Sequence, residues 1–316
     1  MKVVIAILAC LSCVWAVLML QGCSRSQEPA APADNRLQVV VTTGMVGDVV
    51  ERIGGEHVRV QTLMGPGTDP HLYKPTPADM RALQSAQLVV YSGLKLEGKM
   101  IDALESLAKS KPVVCYADAL PRERLMSASE DAAAVGKHFD PHVWFDVALW
   151  ANGVDAVRDA LSKADPANAE KYAANARAYG IILGDLDRDV RQQIATIPKE
   201  RRVLVTAHDA FGYFGRAYDI EVAGIQGLST ESEASLNDIN RLVDELVARK
   251  IPAVFVESSI SPKNIEALVQ GAKAKGHDVR IGGSLYSDAM GAAGTADGTY
   301  VGMVRQNVRQ IVEALR

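Results

Sequence analysis

The chain has 316 residues, of which 48% are hydrophobic and 23% charged, and its formal net charge is -4. That is enough apolar chain for a substantial core in one large or two medium globular domains. The acidic balance and the lack of any basic stripe argue against a nucleic-acid partner, which needs clustered cations against its phosphates.

In chain order, Lys2 is followed by an almost uncharged run, VVIAILACLSCVWAVLML, that ends at Gln21-Gly22-Cys23. This reads as a secretion signal over residues 1–22. Leu20-Gln21-Gly22-Cys23 resembles the bacterial lipobox, which makes Cys23 the lipidated residue at the mature N-terminus. The alternative is an uncleaved anchor helix, and either way the domain is tethered outside the cytoplasm. Residues 23–36 continue as SRSQEPAAPADNR after the cysteine, polar and without apolar period, and read as a flexible tether. Cys10 and Cys13 leave with the signal, and Cys115 in PVVCYA reads as a small core residue. No cysteine-based metal motif is present.

Strand and helix patterns then alternate. LQVVVTT (37–43), HVRVQTLM (57–64), QLVVYSG (87–93) and KPVVCYA (111–117) read as strands, with helices at MVGDVVERIG (45–54) and PADMRALQSA (77–86). The rhythm restarts with strands RVLVTAH (202–208), IEVAGIQ (220–226), PAVFVESS (252–259) and DVRIGG (278–283), and with helices at 235–250 and 262–276. Strands separated by helices imply parallel sheets with right-handed crossovers.

Between these regions Tyr172, Ala176, Tyr179, Leu183, Leu186, Val190, Ile194 and Ile197 recur at steps of three or four, one continuous apolar stripe. A helix over 166–197 at 1.5 Å per residue would be about 48 Å long, enough to cross both regions. Two helices broken near Gly180 and Gly184 are the alternative. The expected fold is therefore α/β: two lobes, each a mostly parallel β-sheet flanked by helices, joined by one long rigid α-helix. The expected boundaries are 37–164 for the first lobe, 165–198 for the linking helix and 199–316 for the second lobe.

The tripeptide Asp-Pro-His occurs twice, as Asp69-Pro70-His71 and Asp140-Pro141-His142, and takes up two of the six histidines. Each copy alone reads as a surface turn in which proline fixes φ and aspartate caps the next segment. The other reading is a pair of stiffened loops that each aim an imidazole at one metal ion. In open parallel sheets ligands bind beyond the carboxyl ends of strands. His208 and Asp288 come just after strands, and His71 lies in a loop after one. Three imidazoles and a carboxylate suit a first-row divalent ion, four- or five-coordinate according to whether Asp288 binds through one or two oxygens. His57, His138 and His277 read as surface or loop residues.

The stretches GPGTDPHLYKPTPADM (65–80), DPHVWFDV (140–147), TAHDAFGYFGRAYDIEVAGIQGLSTESEAS (206–235), FVESSISPKNIEAL (255–268) and LYSDAMG (285–291) resemble, in order, the motifs of a known family. It is the metal-binding solute-binding proteins of zinc/manganese ABC transporters, the TroA-like group (cluster A-I, cluster 9). The resemblance spans essentially the whole mature chain. It implies His71, His142, His208 and Asp288 as metal ligands, two lobes on one long helix, and small hinge motions on metal release. It further implies a monomeric lipoprotein at the bacterial cell envelope, in the periplasm or on the outer face of the cytoplasmic membrane. That protein hands one Zn2+ or Mn2+ ion to a membrane permease served by a cytoplasmic ATPase.

Within such a family the third ligand, here His208, is often glutamate in manganese-specialised members. Zinc-uptake members often carry a long His-rich acidic loop before the second ligand, where MSASEDAAAVGKH (126–138) has a single histidine. Strict specificity for either ion is not implied, and zinc binds an N/O site more tightly than manganese whatever its purpose. Candidates for orienting the imidazoles are Asp69, Asp140, Asp209, Glu231 and Glu257, because ligating rings usually donate their other N–H to an oxygen. Asp69 and Asp140 read equally as turn caps, and Glu257 either orients a ligand or meets solvent at the cleft edge. Two further readings use the same fold: a metal-dependent hydrolase on the three-His/Asp site, and a surface adhesin. No His-Glu-x-x-His, Gly-x-Ser-x-Gly or Walker loop supports other chemistry, and no enzyme activity is expected.

Overall fold

A computed structural model describes residues 34–128 and 139–316. The signal segment 1–22, Cys23, all of the tether before Asp34, and His138 lie outside the described residues. Among the described residues no helix is long and apolar enough to cross a membrane.

The first lobe runs β1 (Leu37–Val41), α1 (Gly44–Gly54), β2 (Val58–Thr62), α2 (Pro77–Ser85), β3 (Leu88–Tyr91), α3 (Ile101–Ala108) and β4 (Val113–Cys115). Its strands form one parallel sheet in the order β2-β1-β3-β4. The central strands, LQVVV and LVVY, are almost wholly buried because both sheet faces are covered. The edge strand VRVQT exposes its polar residues. β4 is the other edge, so Cys115 is half-buried instead of a core residue. Helix α2 starts on a capping box in which Thr76 and Asp79 satisfy each other's backbone N–H, with Pro77 in the first turn.

After α4 (Val147–Trp150) and α5 (Val154–Ala164), a 3-10 turn over Pro166–Asn168 leads into α6 (Ala169–Ile194). This 26-residue helix is continuous through Gly180 and Gly184, so it spans about 39 Å. It stops short of the 48 Å expectation because residues 166–168 form the 3-10 turn and the chain turns at Ala195 ahead of Pro198. Its buried residues are Tyr172, Ala176, Tyr179, Leu183, Leu186, Val190 and Ile194, the apolar stripe. The glycines lie on the other side, where a missing side chain costs propensity and no packing.

The second lobe runs β5 (Val203–His208), α7 (Gly212–Tyr218), β6 (Glu221–Gln226), α8 (Leu236–Arg249), β7 (Ala253–Glu257), α9 (Lys263–Ala274), β8 (Arg280–Leu285) and α10 (Tyr300–Leu315). Strands β5 and β6 pair in parallel, as do β7 and β8, and β5 lies alongside β7. The molecule is thus α/β, two lobes with parallel sheets flanked by helices and joined by a long helix. The C-terminal helix α10 packs on β8, on the linking helix and on α1 of the first lobe. One buried cluster accordingly runs through both lobes, with Trp144, Trp150, Tyr116, Phe211 and Tyr300 at its centre.

Candidate metal centre

Each of the four expected ligands is carried on a different piece of chain. His71 lies in the loop between β2 and α2, His142 precedes a short 3-10 turn, His208 is the last residue of β5, and Asp288 lies just beyond β8. Their side chains converge, with candidate ligand atoms within 4.8 Å of one another. All four are buried, His142 and His208 completely.

Both Asp-Pro-His turns are built alike. Asp69 Oδ1 accepts the backbone N–H of His71 at 2.9 Å, and Asp140 Oδ1 accepts that of His142 at 2.9 Å. These are aspartate-closed turns two residues wide. Asp140 does more: the same Oδ1 lies 2.8 Å from His142 Nδ1. Glu257, at the end of β7, takes His208 at two points, the backbone N–H on Oε1 at 2.9 Å and Nδ1 on Oε2 at 2.6 Å. An ionised carboxylate only accepts, so Nδ1 of both rings carries the proton and each Nε2 lone pair faces inward.

The inward atoms are spaced for an ion. His71 Nε2 to His142 Nε2 is 3.3 Å, His142 Nε2 to Asp288 Oδ1 is 3.4 Å, and His208 Nε2 to Asp288 Oδ2 is 3.2 Å. A tetrahedral ion with bonds near 2.0–2.1 Å separates its ligand atoms by about 3.3 Å. Among the described residues His208 Nε2 and both Asp288 oxygens are buried and make no hydrogen bond. Orphaned polar atoms at such depth cost free energy, and a cation satisfies them together. Three imidazoles and a carboxylate can therefore hold one metal ion here.

The charges agree. Burial alone would raise Asp288, but His208 and His142 beside it hold its carboxyl well below the usual range. Burial disfavours charge on His142, yet the Asp140 and Asp288 carboxylates outweigh it and push its pKa up to about 9. His208 is likewise raised, burial being overcome by Asp288 and Glu257. His71 goes the other way, to about 4, because burial dominates the pull of Asp288. The cluster draws positive charge toward Asp288, and a divalent ion competes with those protons.

The remaining candidates differ in what they touch. Glu231 does not orient an imidazole: it lies at the surface, ion-paired with Lys99 of the first lobe. Asp209 makes no hydrogen bond to any of the four among the described residues; burial raises its pKa, while His142 and His208 nearby pull it down. Asp69 braces the His71 backbone and not its ring, while its Oδ2 accepts from Thr230 at 2.6 Å. Glu257 is buried and does not meet solvent. His57 faces Lys171 and Glu56, and His277 Nε2 is 2.8 Å from Ile251 O, both away from the cluster.

Four residues that lie within the motifs but are not among the candidates also shape the site. Trp144 packs its ring edge-on to His142, 5.3 Å between centroids, and donates Nε1–H to Ser287 O at 3.0 Å, next to Asp288. Ser287 thereby links the second and fourth candidate ligands. Thr230 is the third, and nothing in LSTESEAS marks it as a contact for Asp69. Gly224 serves the site by absence: a Cβ there would stand 2.5 Å from Asp209 N, where β6 passes the end of β5.

Comparisons with known proteins agree on one family. The ZnuA model, described as zinc-uptake complex component A, periplasmic, matches residues 39–314. The manganese-binding lipoprotein MntA of Bacillus subtilis (strain 168) is 50% identical over 303 residues, 96% of this chain and 97% of that protein. The zinc-binding protein TroA of Treponema pallidum (strain Nichols) is 48% identical over 305 residues, again 96% of this chain and 97% of the relative. The solved structure of the periplasmic zinc-binding protein TroA from Treponema pallidum superposes with a TM-score of 0.85 at 49% identity, covering 89% of this chain and 99% of that one. Sequence, motif order and fold thus lead to one conclusion: the chain belongs to the ZnuA family.

Proposed function

We propose that this protein captures a divalent transition metal, Zn2+ or Mn2+, outside the cytoplasm and delivers it to an ABC permease driven by a cytoplasmic ATPase. His71, His142, His208 and Asp288 are the proposed ligands, and the ion is cargo. The observation that carries the proposal is the buried meeting of three inward Nε2 atoms and one carboxylate, with His208 Nε2 and both carboxylate oxygens left without hydrogen bonds. Relatives named for manganese and for zinc are almost equally similar, which supports a site open to both ions. Several names among the relatives contain the word lipoprotein. That favours Cys23 as the lipid anchor and the envelope as the location.

The hydrolase reading is disfavoured by how the nearby acids are used. Catalytic zinc needs a general base beside its water. Both Glu257 oxygens already serve His208, and Glu231 is paired with Lys99 at the surface.

The test is the metal content of the full-length chain purified in detergent without chelator, followed by competitive zinc and manganese titration of the stripped protein. One tight equivalent is expected, sharply weakened by His71→Ala, His142→Ala, His208→Ala or Asp288→Ala and retained by His57→Ala and His277→Ala. Equal affinity across all six variants would overturn the site assignment.

A further inference from the structure

We propose that Thr230 is a positioning residue for metal retention, a clasp whose hydroxyl ties the His71 loop of the first lobe to the second lobe. This rests on the metal-binding reading above.

The geometry is asymmetric among the ligands. Glu257 steadies His208 from within the second lobe, and Asp140 steadies His142 from two residues away in the same segment. His71 has no carboxylate on its ring among the described residues, and its bracing runs through Asp69. That carboxylate is shared: Oδ1 holds the His71 N–H, and Oδ2 accepts the Thr230 hydroxyl from a loop 161 residues further along the chain, between β6 and α8. The brace for His71 is therefore complete only when the two lobes meet.

The neighbouring residue repeats the crossing. Glu231 pairs with Lys99, which comes two residues after Glu97 in the turn beyond β3. Glu97 is buried and accepts from Ser92 N at 2.7 Å and Gly93 N at 3.2 Å, so the turn carrying Lys99 is fixed. On the other side, Gln226 Nε2 donates to Ser232 O at 3.2 Å and Glu231 N to Ser229 Oγ at 3.3 Å, which stiffen the segment presenting Thr230. The two straps differ in weight. Thr230 is 8% exposed and its bond to a carboxylate is sheltered. Lys99 and Glu231 are each about half exposed and are screened by salt. Thr230 is the strap that matters.

A clasp slows escape more than entry, because the open protein meets metal before the bond forms. Thr230→Val keeps the shape and removes the hydroxyl. In the full-length chain loaded with Zn2+ and mixed with excess chelator, it should release metal about tenfold faster, with the association rate and the single equivalent unchanged. Thr230→Ala should do the same, whereas Thr230→Ser, which restores a hydroxyl, should release within about twofold of the parent. Lys99→Ala should change release by less than about threefold at low salt and not at all near 0.5 M salt. Parent-like release by both Val and Ala variants would overturn the clasp, as would fast release by the Ser variant, which would make packing the cause. Failure of the parent itself to take up metal would instead sink the metal-binding reading.

Discussion

Glu257 grips His208 twice, through its backbone N–H and through Nδ1 of its ring, and so fixes both where the imidazole sits and which nitrogen is free. Glu257→Gln cannot reproduce this. If the amide oxygen keeps the backbone N–H, its NH2 must donate to Nδ1, the proton moves to Nε2 and the inward lone pair is lost. If the amide flips, two N–H groups face each other. Metal affinity should fall about 10- to 100-fold with the fold intact, measured by zinc titration alongside circular dichroism. An affinity equal to the parent's would show that ring orientation is set by packing alone. Asp140→Asn should be milder at His142, since a single Asp140 oxygen serves both backbone and ring and an amide oxygen can accept from both.

Metal should stabilise the fold, because the site is assembled from segments that separate on unfolding. At free zinc near 100 times Kd, unfolding should cost about 2.7 kcal/mol more than in chelator. Calorimetry with and without chelator reads this, and Asp288→Ala should abolish the difference. A zinc-induced rise in Tm that survives in Asp288→Ala would place the stabilising ion elsewhere.

Glu97 is completely buried and accepts from Thr42 Oγ1 at 2.7 Å, Ser92 N at 2.7 Å and Gly93 N at 3.2 Å, tying the ends of β1 and β3 together. Glu97→Ala strands these donors and should cost about 3 kcal/mol. Burial raises the Glu97 pKa above the ordinary 4.5, outweighing its hydrogen bonds. The folded state therefore holds this proton more tightly than the unfolded chain does. Its contribution is fullest below pH 4.5 and is lost as pH rises through the folded pKa. Urea denaturation should show the gap between parent and variant narrowing with rising pH, and a widening gap would contradict this account.

The linking helix carries Gly180 and Gly184 at positions where an added Cβ meets nothing within 4 Å and only an Arg188 nitrogen at 3.8 Å, respectively. Replacing either by Ala should stabilise the protein by about 0.5–1 kcal/mol. Gly153→Ala should do the reverse, since its Cβ would fall 2.3 Å from the Tyr116 ring. Chemical denaturation distinguishes the signs, and destabilisation by Gly180→Ala would mean the helix needs to bend there.

What the sequence determined by itself was whatever neighbours along the chain encode. The stripe from Tyr172 to Ile194 is a period of three to four, and its buried face matches it residue for residue. The central strands announce themselves as apolar β-branched runs, and the two Asp-Pro-His turns close on bonds spanning two residues. The four candidate ligands were legible because each sits beyond a strand or within a long contiguous motif. No helix was expected at α3, α5, α7 or α10, although α5 and α10 bury apolar residues at helical spacing, Val154, Val157 and Leu161 in one and Val304, Val308, Ile311 and Leu315 in the other.

Only the tertiary structure decided which carboxylate serves which ring. Glu257 meets His208 across 49 residues, Trp144 meets Ser287 across 143 and Thr230 meets Asp69 across 161. Asp209 and Glu231, as suited by type and motif as Asp140, make no hydrogen bond to the four among the described residues, although both lie near enough to feel their charge. A side chain's type says what it can bond. Which partner lies within 3 Å depends on how strands order and lobes meet, and that is settled by burial summed over the whole chain.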